Sequence, residues 1–233
     1  MSSPKLWRGQ TLQDRSIDRR EQMLAAGAQL LGEGGVAAVT MRAIVREADL
    51  SPRYFYESFG SREDLIRAVY DRTENELIER LGAADVSAGL HAAVRSVFEI
   101  CAEYFDEDPR RARILLREPL ADDVLRRHSA DRVPAFLRAV IPMLGEPAER
   151  MLPVGEEELS IAATALSGAL VALYLDWIDG RLAVGRERLA ESAVAVVFAL
   201  AAAAPPGDNS STPPQQVSTG GDASSAASQS PPP

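Results

Sequence analysis

Apolar residues recur at helical spacing along most of the chain, and no stretch alternates apolar and polar with the period of a strand, so the pattern predicts an all-α fold. Leu24, Ala28 and Leu31 place a helix over residues 16–33, ended by Gly34-Gly35. Leu65, Val69, Leu77 and Leu81 place a long one over 61–81, and residues 82–89 break it. Leu90, Val94, Val97, Phe98, Cys101, Tyr104 and Phe105 mark an amphipathic helix, stopped at 106–109. A short helix over 110–117 is expected to end before Pro119. The helical region 122–144 is expected to be kinked or split at Pro134 and Pro142, and 146–155 to be a loop. Three glutamates at 156–158 favour the N-terminus of a helix over 156–179 through its dipole, and Gly180 follows its end. That helix carries the stripe Ala162, Leu166, Ala169, Leu173 and Trp177. The last helix, 186–203, carries Leu189, Val196, Val197 and Leu200. From Pro205 onward Pro, Ser, Gly, Gln and Ala dominate without an aromatic residue, which predicts a disordered tail.

Between the first and second long helices lies a different pattern, residues 40–65. Thr40 is placed to cap a short helix whose apolar face is Ile44, Val45 and Ala48. Asp49-Leu50 is a turn. Ser51-Pro52 then starts a second helix, since proline at the first helical position loses no intrahelical bond. Gly60 limits that helix to 52–59. Ser61-x-x-Asp64 resembles a capping box, with Asp for the usual Glu or Gln. So short a helix is unstable alone and must be pinned by buried residues; Phe55 and Phe59 lie four apart on one face. Pro52, Arg53, Tyr54 and Tyr56 are left projecting elsewhere. Two short helices around a tight turn, the second presenting Arg and Tyr, form the geometry that enters a DNA major groove.

The stretch resembles the DNA-binding region of TetR-family transcriptional regulators. It matches their pattern at Thr40, Ile44, Ala48, Ser51, Phe55, Tyr56, Phe59, Ser61 and Leu65, and Leu24-Ala25-Ala26, Leu30-Leu31 and Gly34-Gly35 resemble the family's first helix and its glycine turn. The match spans about residues 15–70; the remainder is similar only in helical architecture. The departures are Val45, Asp49, Leu50 and Arg62, and Ser58 stands where an aromatic is common. Asp tolerates the left-handed conformation the turn needs, but adds a negative charge near the expected phosphates.

Composition agrees with one or two globular domains: 233 residues, 46% hydrophobic. The net charge of −9 argues against nucleic acid only when taken whole. Residues 1–62 hold nine Lys+Arg against seven Asp+Glu, or +2, and the rest of the chain carries −11. Arg does nearly all the cationic work, Lys5 being the only lysine. One cysteine, Cys101, excludes an intrachain disulfide and fits a reducing compartment. Residues 1–22 lack a secretory leader, and the apolar run 161–175 is short and mixed with Ser, Thr and Gly, so no membrane span and a cytoplasmic location are expected.

The expected organisation is a flexible N-terminal arm (1–15), a helix-turn-helix domain (16–62), a helical effector-binding and dimerisation domain (63–204) and the disordered tail (205–233). Arg53 sits where a recognition helix meets base edges. The resemblance implies DNA contacts from Thr40, Arg42, Ser51, Pro52, Arg53, Tyr54, Tyr56 and Arg62, with Tyr56 and Arg62 as backbone anchors. Phe98, Tyr104, Phe136, Tyr174 and Trp177 are candidates for an apolar effector pocket. Leu166, Ala169, Leu173, Val196 and Leu200 are candidates for a homodimer interface of the last two helices. His91 and His128 are isolated, and no spacing suggests a metal, a cofactor or a catalytic constellation. The function implied is a repressor on a double-stranded, palindromic operator, released by a small apolar effector. The alternatives are a DNA-binding regulator without such an effector, and a helical enzyme or carrier that keeps the motif as scaffold.

Overall fold

The computed structural model describes residues 12–150 and 155–203, all helical or in short connections among those residues. The tail, and the first eleven residues of the N-terminal arm, lie outside the described residues. The first helix, α1 (Leu12–Gly34), begins four residues earlier than the apolar pattern indicates. A single 3-10 turn, Val36–Ala38, follows. Next come α2 (Met41–Glu47), α3 (Pro52–Ser58) and α4 (Arg62–Leu81). Met23, Leu31, Val39, Ile44, Phe55, Leu65 and Val69 are buried together, so the two short helices are pinned by α1 and the first half of α4. A Cβ at Gly27 would sit 2.7 Å from the Leu65 side chain; α1 and α4 touch there.

The body continues with α5 (Leu90–Glu107), then α6 (Pro109–Ala112), a π turn (Arg113–Arg117) and α7 (Glu118–Ala121). Pro119 therefore does not end the helical run. It lies in the first turn of α7, where a missing N–H is cheap, and the π turn before it takes up the change of register. Nor is α8 (Asp123–Val140) split at Pro134, which is exposed on a helix that runs on to the 3-10 turn Ile141–Leu144. The expected loop at 146–155 holds one further helical turn, α9 (Glu146–Glu149). The last two helices, α10 (Glu156–Ile178) and α11 (Arg186–Ala203), match the sequence reading closely.

Helix α11 packs on α5 and α10, and α8 packs on α4. Along α10, among the described residues, only Tyr174 and Leu175 are buried, and Ile161 is 62% exposed. Residues Glu157–Ile178 are long and apolar enough to cross a membrane by length and composition, a longer run than the 161–175 stretch the sequence suggested. The Tyr174 hydroxyl donates to the Phe98 carbonyl at 2.8 Å, which fixes the C-terminal end of α10 to α5.

Candidate nucleic-acid interface

The turn between α2 and α3 is built by backbone bonds. The Thr40 hydroxyl accepts the Ala43 N–H at 3.1 Å and caps α2. At its other end the Leu50 N–H reaches the Val45 carbonyl and the Asp49 N–H the Arg46 carbonyl, with Asp49 at φ 51. This is a Schellman stop with aspartate in the left-handed position, the conformation expected of that residue. Ser51 occupies the cap of α3 with extended backbone, but its hydroxyl makes no capping bond, contrary to the sequence expectation. Pro52 follows at the first position. Ser61 caps α4 by accepting the Asp64 N–H at 3.1 Å, and Arg67 beside Asp64 holds that carboxyl below its ordinary range.

Of the seven residues of α3, Phe55 is buried and stacks toward Phe59 at 5.9 Å. Tyr56 is 65% exposed, its ring edge-on to Phe55. The Arg53 side chain is 83% exposed and pairs with Glu57 at 2.7 Å, one helical turn on. Tyr54 is half-buried beneath Arg19, whose guanidinium lies 4.3 Å from the ring centre; Arg20 lies over Phe59 in the same way. The two arginines of α1 are thus packed on the short helix by cation–π contact. Arg42 and Arg46 project from α2 one turn apart, exposed and making no ion pair among the described residues. The outward face of α2 and α3 is therefore Thr40, Arg42, Arg46, Ser51, Pro52, Arg53 and Tyr56. Its acidic members are Glu47, Asp49 and Glu57.

Arg62, expected as a phosphate anchor, is bonded within the chain. Its Nε donates to the Val39 carbonyl and its Nη2 to the Val36 carbonyl, and its Nη1 meets Glu63 at 3.2 Å. The guanidinium fastens the N-terminus of α4 to the 3-10 turn. No local pattern signals this, since the accepting carbonyls are 26 and 23 residues upstream.

The five aromatic pocket candidates line neither of the two grooves described below. Phe98, Tyr104 and Tyr174 are buried and Phe136 and Trp177 half-buried. The Tyr104 hydroxyl donates to the Thr73 carbonyl at 2.9 Å, and Trp177 Nε1 to that of Val184 at 2.9 Å. Two grooves stand elsewhere. One of about 380 Å³ runs between α1 and α4 beside Arg20, Glu21, Asp71, Arg72 and Glu76. The other, about 300 Å³, lies beside Gly32, Arg110, Arg113, Arg117 and Ile178. Burial pushes the Cys101 thiol up to about 12, so it is an inert core group. His128 is half-buried with Nε2 2.7 Å from Asp71. No group of three metal-ligating side chains occurs among the described residues. The dimer candidates Leu166, Leu173, Val196 and Leu200 are half-buried and Ala169 is exposed.

Residues 23–69 match the family model of bacterial regulatory proteins, tetR family. A nucleoid occlusion factor, SlmA, from Marinomonas sp. strain MWYL1 is 23% identical over 136 residues, covering 56% of this chain and 69% of that protein. A TetR-like transcriptional regulator from Rhodococcus sp. RHA1 superposes with a TM-score of 0.58 at 19% identity, over 79% of this chain and 96% of its own. A tetR family regulator from Shewanella sp. PV-4 gives 0.61 at 14% identity, over 78% and 95%. Residues 23–69 thus carry the helix-turn-helix of the tetR family of bacterial regulatory proteins, and the superpositions show the all-helical fold of such regulators over both halves of the chain.

Proposed function

We propose that the chain is a homodimeric repressor that reads a palindromic operator with α3 in the major groove. The observation that carries the reading is α3 itself: seven residues pinned by Phe55 and Phe59, with Arg53 and Tyr56 turned fully outward. Arg53 supplies base recognition, and Arg42, Arg46 and Tyr56 meet the backbone on either side. The uncovered apolar length of α10, continuous with the half-buried side of α11, is the dimer surface. A two-fold pair of α3 helices then spans one DNA turn, ~34 Å.

A small apolar effector would release the operator by favouring a body conformation in which the two α3 helices no longer match adjacent grooves. A second reading, regulation without a small-molecule effector, is favoured by one observation: the five aromatic candidates are buried or half-buried and line neither groove. The test is a gel shift on the DNA upstream of the chain's own coding region, with light scattering of the free protein. A dimer and a salt-dependent, competitor-resistant shift are expected. A monomer, or a shift lost equally to any competitor DNA, overturns the proposal.

A further inference from the structure

Glu118 is a buried carboxylate with no place in the functions described above. Its side chain is only 7% exposed, although burying a carboxylate is costly and an apolar residue would often give equal or greater stability. Its two oxygens face in different directions. One accepts Arg113 Nε at 3.0 Å, within the π turn of the body. The other accepts the Val36 N–H at 2.9 Å, 82 residues away in sequence, at the start of the 3-10 turn that leads into α2. Arg113 makes a second tie in the same direction, its Nη1 donating to the Glu33 carbonyl at 3.0 Å. The backbone is shaped to receive the carboxylate. Gly35 stands at φ 70, and a Cβ there would lie 2.7 Å from one carboxylate oxygen and 2.8 Å from the other. Only glycine fits both the conformation and the space.

The contacts continue on the far side of Val36. Its carbonyl is one of the two that receive the Arg62 guanidinium. Arg62 opens α4, three residues after Phe59, where α3 ends. A bonded path thus runs from Arg113 through Glu118, Val36 and Arg62 to the junction of α3 and α4. We propose that Glu118 is a positioning residue for DNA binding, which sets the placement of α3 by joining the π turn of the body to the 3-10 turn before α2. This rests on the reading of α3 as the DNA-contacting helix. Glu118 touches no DNA. The strong geometry of the bridge, together with the isolation of Glu118 from solvent, means that losing it frees the 3-10 turn rather than exchanging protein for water.

The full chain with Glu118→Gln keeps the size of the side chain and replaces one acceptor oxygen by a donor, so one of the two ties is lost. The probe is the DNA fragment that the wild type shifts. Operator affinity, measured where circular dichroism shows both proteins folded, is expected to fall on the order of ten-fold. The salt slope is expected to be unchanged, because no phosphate contact is removed, and exchange of the Val36 amide to be faster. Arg113→Gln removes the other end of the bridge and is expected to give a smaller loss in the same direction. A residue that only holds the fold together would lower the melting temperature and leave the affinity of the folded protein alone. Wild-type affinity in folded Glu118→Gln overturns the inference; if that variant does not fold, wild-type affinity in Arg113→Gln does so. A wild type that shifts no DNA removes the reading of α3, and the inference with it.

Discussion

Replacing Arg62 by alanine is expected to lower stability, and to weaken operator binding by loosening the α3–α4 junction while leaving its salt slope unchanged. The guanidinium donates to the carbonyls of Val36 and Val39, two groups that precede α2; the Val36 carbonyl also accepts the Val39 N–H at 3.2 Å. Hydrogen bonds from a charged donor contribute about 1.5–3 kcal/mol each. The side chain is 33% exposed, so water can replace part of each bond, and the lower end of that range applies. The pair with Glu63, itself 41% exposed, adds little. The total is about 3 kcal/mol, which for a chain of this size corresponds to a melting temperature lowered by roughly 6–12 °C. Lysine cannot fork to two carbonyls, and Arg62→Lys is expected to recover less than half of the loss.

The assay is thermal unfolding by circular dichroism for the wild type, Arg62→Ala and Arg62→Lys, with operator affinity measured over a range of salt well below the melting point. The alternative, a phosphate anchor, gives a different pair of numbers. One lost phosphate contact reduces the slope of log affinity against log salt by about 0.9. If Arg62→Ala melts within about 1 °C of the wild type while the slope falls by about one, the guanidinium faces DNA in solution and the structural role is wrong.

Arg53→Ala is expected to weaken operator binding by ~1–3 kcal/mol and to relax preference at one base pair of each half-site, read by binding to single-substitution operators. Glu57→Gln should tighten binding to all DNA alike, since it frees Arg53 and removes a negative charge from the exposed face; equal affinity across salt would show that the pair does not compete with DNA. Ala169→Arg, placed where α10 is exposed in the single chain, should yield a folded monomer by light scattering. A folded Ala169→Arg dimer would move the interface elsewhere. In the body, Arg132→Met should cost about 3 kcal/mol by chemical denaturation, because it strands the buried Glu74 whose carboxyl burial already pushes up, whereas Glu74→Gln should cost about 1 kcal/mol. Equal losses would mean that Glu74 is not left unpaired.

The helix-turn-helix was legible because its signals are local. Thr40 and Ser61 cap as their types predict, Asp49 takes the left-handed turn, and the four-residue spacing of Phe55 and Phe59 buries both. The pair of Arg53 with Glu57 was within reach of the same logic, being an i,i+4 spacing on one exposed face. What could not be read was long-range. The partners of Arg62 and Glu118 lie far off in sequence, and the carbonyl or amide of any residue serves equally as a partner. Proline misled at 119 and 134 because its helix-breaking effect depends on which carbonyl would have been bonded. A π turn and an exposed helix face each remove that demand. The pocket aromatics illustrate a third limit. An apolar stripe records burial but not whether the space beside it is filled, and here Tyr104 and Tyr174 fill it and use their hydroxyls on backbone carbonyls.

These contacts bear on how the body could govern the DNA-binding face. Helix α4 is 20 residues long, about 30 Å, and packs on α1 at one end and on α8 further along. The hold of α8 includes two polar ties: Arg132 bonds Glu74, and His128 bonds Asp71. A shift of α8 therefore carries α4 with it, and a rotation of only about 4° moves the far end of a helix of that length by about 2 Å. That end is where Arg62 grips Val36 and Val39. The bridge through Glu118 ends at the same 3-10 turn but is anchored in a different part of the body, the π turn. The junction of α3 and α4 is thus held from two sides, and a movement of α8 alone would pull Arg62 against a turn that Glu118 keeps in place. Packed elements of this kind respond by switching between arrangements rather than by bending smoothly. A conformational change that relocates α3 must then either move both anchors together or break one of the two ties. On the proposed reading of α3, Arg62 and Glu118 are the residues through which movement of the body would reach it.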